Sequence, residues 1–247
     1  MTYIILGMHK SGTTMITKIL HESGIEMGPF KQKGEYYKGE DCERMDAFQI
    51  VSDMLNSHDL HSLDTIPPFD ETLIRKNVNR LGDLIRTSES NGVDWGFKNP
   101  RTVFVYEQIK PVLGRHKLIG IYRPLRDVVT HYSQNSISNI PKAIKAWKAY
   151  NRIMVEIIRK SDLPWVVLEF EKFFDGDGEF KRLEEFVQKD LKDLRKKESR
   201  RKSEEFNKIM SDLTVSWTLM FDKEAREITD ALNELAGQPQ STKVVQV

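Results

Sequence analysis

Residues 3–20 read YIILGMHKSGTTMITKIL. Tyr3–Leu6 is a short apolar run bounded by Gly7 and reads as a buried strand. Thr13–Ser23 carries Met15, Ile16, Ile19 and Leu20 at helical spacing and is stopped by Gly24. A strand, a glycine-bounded turn and a helix start together make an anion site. Backbone N–H groups point into the turn, and the helix dipole favours negative charge there. Gly7 and Gly12 permit close backbone approach, Lys10 reaches the same anion, and Thr13 and Thr14 supply hydroxyls. The glycine spacing is that of G-x-x-x-x-G-K-[ST], yet Thr13 stands where that pattern wants lysine. In ATP-using loops this lysine spans the β- and γ-phosphates, and the Ser/Thr holds Mg²⁺. A triphosphate bound here would lack a main counter-charge. A donor with fewer charges near the loop fits better.

Working outward, buried strands alternate with helices. Strands are expected at 94–98, 117–122 and 165–170. Helices are expected at 42–55, 71–88, 102–113, 141–159 and about 222–235, with one opened by Arg123-Pro124, where proline suits the first turn. From Glu179 onward the chain reads as helical and charged, and the basic run at 192–202 (KDLRKKESRRK) reads as a solvated helix face. Gly28–Asp41 has no period and reads as a loop. The pattern predicts a single α/β domain, with a P-loop-type parallel β-sheet flanked by helices. That domain would span 1–247, with its core at about 1–187, a helical C-terminal part at 188–236 and a tail at 237–247.

Composition bounds the partners. The 247 residues carry 38 Lys+Arg against 37 Asp+Glu, a net charge of +1 that gives no general pull toward nucleic acid or anionic membranes. The one cysteine, Cys42, excludes an internal disulfide framework and suits a reducing cytoplasm. No run approaches the roughly 18 apolar residues of a membrane span, and the first apolar run is too short for a signal peptide. A soluble, cytoplasmic chain without a membrane span is expected.

Three segments carry a family resemblance. Gly7-Met8-His9-Lys10-Ser11-Gly12-Thr13-Thr14 resembles the 5′-phosphosulfate loop of sulfotransferases that use 3′-phosphoadenylyl sulfate (PAPS), closest to the G-M-H-[RK]-S-G-T opening of bacterial members. Trp95–Arg101 resembles the W-G-x-K-[DN]-P-R segment of those members. Arg123–Ser133 resembles the R-x-P-x-D-V-x-x-S segment that holds the 3′-phosphate. The resemblance implies the sulfotransferase fold and a PAPS donor whose product is adenosine 3′,5′-bisphosphate, with no metal required. It implies donor contacts from His9, Lys10, Ser11, Gly12, Thr13 and Thr14, with Met15 where the animal enzymes carry tryptophan near adenine. Arg123 would fork onto the 3′-phosphate, helped by His131 or, in a slipped alignment, Thr130. Lys98, at a strand's carboxyl end, and Lys10 would offset charge on the transferring group.

The family's small-molecule enzymes place a histidine base just after this lysine, and here that position is Pro100. Members acting on tyrosyl proteins and glycosaminoglycans use a glutamate in the loop after the first helix. Glu35 is the first choice for that base and Glu40 the second, with Tyr36 and Tyr37 able to raise a carboxylate pKa by desolvation. His58 and His61 are the remaining candidates for the base, after both glutamates. The acceptor class (sugar, lipid, peptide or small metabolite) and the oligomeric state are not legible. An ATP-dependent kinase of the same fold class and a non-catalytic nucleotide-binding module are the rival readings.

Overall fold

The computed structural model describes residues 1–30, 41–195 and 205–239, with only the backbone of 205–207. Four strands form the sheet: β1 (Thr2–Leu6), β2 (Trp95–Lys98), β3 (His116–Tyr122) and β4 (Trp165–Glu169). Their order is β2-β1-β3-β4, and every pairing is parallel. The first strand is therefore central, with Thr2 level with Trp95 on one side and His116 on the other.

Strand periodicity sorts the side chains into two cores. Ile4, Leu6, Leu118 and Val167 face a large cluster containing Trp147, Met154 and Leu232. Tyr3, Ile5, Ile119, Ile121, Val166 and Leu168 face the other way, onto Ile16, Ile19, Leu20 and Leu183. The second face is covered by α1 (Thr13–Glu22) and α8 (Asp177–Val187). The first is covered by α2 (Met45–Leu55), α3 (Glu71–Ser90), α4 (Thr102–Ile109), α5 (Leu125–Ser133), α6 (Ile140–Lys160) and α10 (Lys223–Gly237). Burial on both faces explains why the strands read as continuous apolar runs rather than alternating ones. The architecture is the predicted α/β domain, a parallel sheet flanked by helices.

Several boundaries differ from expectation. Proline 124 caps α5 from outside instead of sitting in its first turn. The strand expected to reach Phe170 ends at Glu169, and Phe170 opens the short α7 (Phe170–Asp175). The helix expected from Glu179 onward stops at Val187, where Gln188 turns left-handed at φ 58°. Helix α9 (Glu205–Phe221) follows separately. Of the basic run, 192–195 is irregular chain, and the rest lies outside the described residues. Arg195 is not solvated: its side chain is 7% exposed, bonded to Asp177, Asp193 and the carbonyls of Phe173 and Gly176. Its guanidinium also stacks 4.4 Å from the Phe180 ring centre. A charge-run reading missed it because its partners at Phe173, Gly176 and Asp177 lie 18–22 residues away, and composition does not record them.

Candidate active site

All four strands deliver their carboxyl ends to one edge of the sheet. From β1 the chain turns through residues 7–12 into α1. A Cβ on Gly7 would collide with the Ile121 carbonyl of β3, so this turn lies tight against the neighbouring strand. The Ser11 amide bonds the Met8 carbonyl at 3.2 Å, closing the turn. Lys10 and Gly12 are both left-handed, at φ 66° and 92°, which directs successive amides inward. The N-terminus of α1 has no side-chain cap, leaving its first N–H groups for a ligand.

At the end of β2, Lys98 is almost fully buried and points back to this turn. Its Nζ donates to the Asp41 carbonyl and lies 3.3 Å from Glu43 Oε1, whose side chain is 9% exposed. The same Asp41 carbonyl accepts from Thr14 Oγ1 at 3.1 Å. One carbonyl thus ties the segment before α2 to both the loop and the lysine. Beyond Lys98, Arg101 donates to the carbonyls of Ser57, Leu60 and His61 at 3.3, 2.6 and 3.2 Å. His9 is half-buried with Nε2 shut off from solvent. Burial, followed by the charges of Arg101, Lys98 and Lys10, holds its pKa well below the usual histidine range. His9 is therefore a neutral hydrogen-bonding group at neutral pH.

From β3, Arg123 bonds Glu171 Oε1 through Nε at 2.8 Å and lies 5.2 Å from the centre of the Phe170 ring. That ring occupies the space a Cβ on Gly12 would need. A single aromatic side chain from the end of β4 thereby connects the arginine to the loop. Helix α5 carries Thr130 and His131, both half-buried, with His131 edge-on to Tyr132 at 5.3 Å. Thr130 Oγ1 is buried without a hydrogen-bond partner.

Buried polar atoms without partners are rare in folded proteins. Here His9 Nε2, Ser11 Oγ, Asn99 Nδ2, Thr102 Oγ1 and Thr130 Oγ1 are such atoms. They belong to the loop after β1, to the segment after β2 and to the helix after β3. A donor set of this kind, with Lys10, Lys98 and Arg123 on the same segments, fits a ligand with several anionic oxygens.

The expected residues thus divide. His9, Lys10, Ser11 and Gly12 lie in one turn and Thr13 and Thr14 open the helix after it, with Lys98 beside them and Arg123 tied to the turn through Phe170. Thr14 spends its hydroxyl on Asp41. Met15 sits half-buried at the margin of the α1-side core. Glu35 and Glu40 lie outside the described residues. His58 is engaged at 2.6 Å by Asp53, and His61 is exposed, with its amide on Asp64. Sequence reasoning missed Glu43, Arg101 and Phe170. Glu43 had one weak signal, a carboxylate close to the start of an apolar helical pattern; the burial of its neighbours Cys42 and Arg44 shows only in the structure.

No family model matches the chain, and no curated protein matches it in sequence. Solved structures do match. The sulfotransferase domain of the Synechococcus PCC 7002 olefin synthase aligns with a TM-score of 0.55 at 14% identity, covering 94% of each chain. The sulfotransferase STF1 of Mycobacterium tuberculosis H37Rv aligns with a TM-score of 0.44 at 11% identity, over 95% of this chain and 76% of that one. No helix among the described residues is long and apolar enough to cross a membrane. The end-to-end match to the first of these structures gives the architecture its name: the chain has the sulfotransferase fold.

Proposed function

We propose that the chain is a PAPS-dependent sulfotransferase acting on a hydroxyl or amine acceptor by in-line transfer in the cytoplasm. The observation that carries this reading is the buried Lys98–Glu43 pair beside a phosphate-type loop that lacks the ATP lysine. The donor brings a sulfuryl group on a phosphate leaving group. The loop amides, Lys10 and the Ser11 hydroxyl hold its 5′-phosphosulfate, and Arg123, with Thr130 or His131, holds the 3′-phosphate. Met15 lies beside the adenine. Glu43 takes the acceptor's proton as the acceptor oxygen bonds to sulfur. The bond from sulfur to the bridging phosphate oxygen breaks, and its electron pair leaves on adenosine 3′,5′-bisphosphate. Lys98, already 3.3 Å from Glu43, stabilises that developing charge. Glu43 is taken as the base because Lys98 holds its carboxylate, already ionised, beside the loop where the transfer takes place.

A thermal-shift comparison tests the donor. Adenosine 3′,5′-bisphosphate should raise the melting temperature, and Lys10→Ala and Arg123→Ala should each weaken its calorimetric affinity by about tenfold or more. If only Mg²⁺-ATP stabilises the chain, the kinase reading takes its place. Glu43→Gln should lower kcat by a factor of about 10²–10⁴ with donor affinity kept, the range for lost general-base catalysis. The same loss in Glu35→Gln, with Glu43→Gln active, would move the base to Glu35.

A further inference from the structure

Beside the loop–Lys98 site lies a second cavity, of about 280 Å³. Its walls are apolar: Leu63, Ile66 and Pro67 on the connection between α2 and α3, with Phe104, Ala149 and Tyr150 opposite. The two charged residues on its lining leave its interior apolar. Lys145 is exposed to solvent, and Asp64 accepts from the His61 amide at 2.7 Å.

The cavity is held open by bonds made elsewhere. Arg101 pins the carbonyls of Ser57, Leu60 and His61, and Tyr132 donates to Ser62 Oγ at 3.0 Å. The connection that forms one wall is therefore anchored just before the cavity begins. Tyr150 forms the shared wall with the anion site. Its ring meets Phe104 edge-on at 4.7 Å and His9 edge-on at 5.9 Å. Burial pushes its phenol well up, with the Arg101 charge opposing and the Glu43 carboxylate adding to the rise. The edge-on contact with His9 is what brings this ring to the margin of the anion site.

We infer that this cavity is the acceptor site and takes a small aliphatic or aromatic alcohol, its hydroxyl directed past Tyr150 toward Glu43. The inference rests on the sulfotransferase reading above and adds the substrate class. A sugar fits poorly, because apolar walls leave its hydroxyls without partners. The volume sits just under the low end of small-molecule sites, roughly 300–1,000 Å³, which excludes a folded protein surface or a long chain as occupant. The reaction balances with an alcohol: its O–H proton goes to Glu43, its oxygen bonds sulfur, and adenosine 3′,5′-bisphosphate departs.

The test uses the full chain, adenosine 3′,5′-bisphosphate, PAPS, the linear primary alcohols from butanol to octanol, and glucose. Alcohol affinity in the presence of the nucleotide should rise about fourfold per methylene until the cavity is full. The specificity kcat/KM with PAPS should rise in step. Ala149→Trp should abolish that rise, and Thr65→Trp, at an exposed position on the rim, should do so without a core change. Nucleotide affinity should be unchanged in both variants. Alcohols that bind no better than glucose, or that bind both variants as well as they bind the unaltered chain, overturn the inference. So do alcohols that bind and are never sulfated by a chain that binds the nucleotide. Failure of the donor reading looks different: no nucleotide binding, with alcohol binding still blocked by both tryptophans, leaves the cavity's apolar selectivity supported on its own.

Discussion

Gly12 carries two demands at once. Its φ of 92° is left-handed, and the place of its missing Cβ is filled by the Phe170 ring on which Arg123 lies. Gly12→Ala should lose about 1–2 kcal/mol from the backbone alone, and more from displacing the ring, read by urea unfolding. It should also weaken nucleotide binding, because the arginine moves with the ring. A second residue sets a pH limit. His116 is buried between Tyr106 and the Gly114 carbonyl, and burial, the first cause, holds its pKa below 6.5, with the carbonyl opposing and Lys110 assisting. The unfolded chain binds a proton there near pH 6.5, whereas the folded chain does not. Its contribution is thus complete above that pH and falls as the pH drops, by up to about 1.4 kcal/mol per unit until the folded pKa is reached. Denaturation at stepped pH should show this slope, and His116→Gln should flatten it.

Among the elements, the connection between α2 and α3 depends on a residue from another part of the chain. Arg101, some forty residues later in sequence, fastens it by the planar fork that lysine lacks. Arg101→Lys and Arg101→Met should both speed hydrogen exchange at 57–66 and cost about 2–4 kcal/mol, since charged hydrogen bonds contribute about 1.5–3 kcal/mol each and only part is replaced by water. This contact explains what the sequence hid. Lys98 and Arg123 were legible because each follows directly on a buried strand, so a local pattern locates it at the sheet's edge. Glu43 and Arg101 act on partners 55 and about 40 residues away, and no local period records such pairings. Phe170 was assigned to a strand, and its position against Gly12 appears only once β3 and β4 are adjacent.

At the scale of the whole molecule, the alternation of buried strands and helices announced a parallel sheet, but not its order. Apolar runs of similar length carry no label for which lies in the middle. The parallel pairing brings every strand's carboxyl end to the candidate site, and the order β2-β1-β3-β4 sets the loop from β1 between Lys98 on one side and Arg123 and Phe170 on the other. Because β1 is central, its two neighbours begin at residues 95 and 116, some 93 and 114 positions after Thr2. At about 5–20 residues per second, synthesis of that stretch takes about 5–25 seconds. TYIIL therefore leaves the ribosome before either of the strands that pair with it in the fold has been made. The strand that anchors the finished site must wait through that interval with its pairing edges available to other chains.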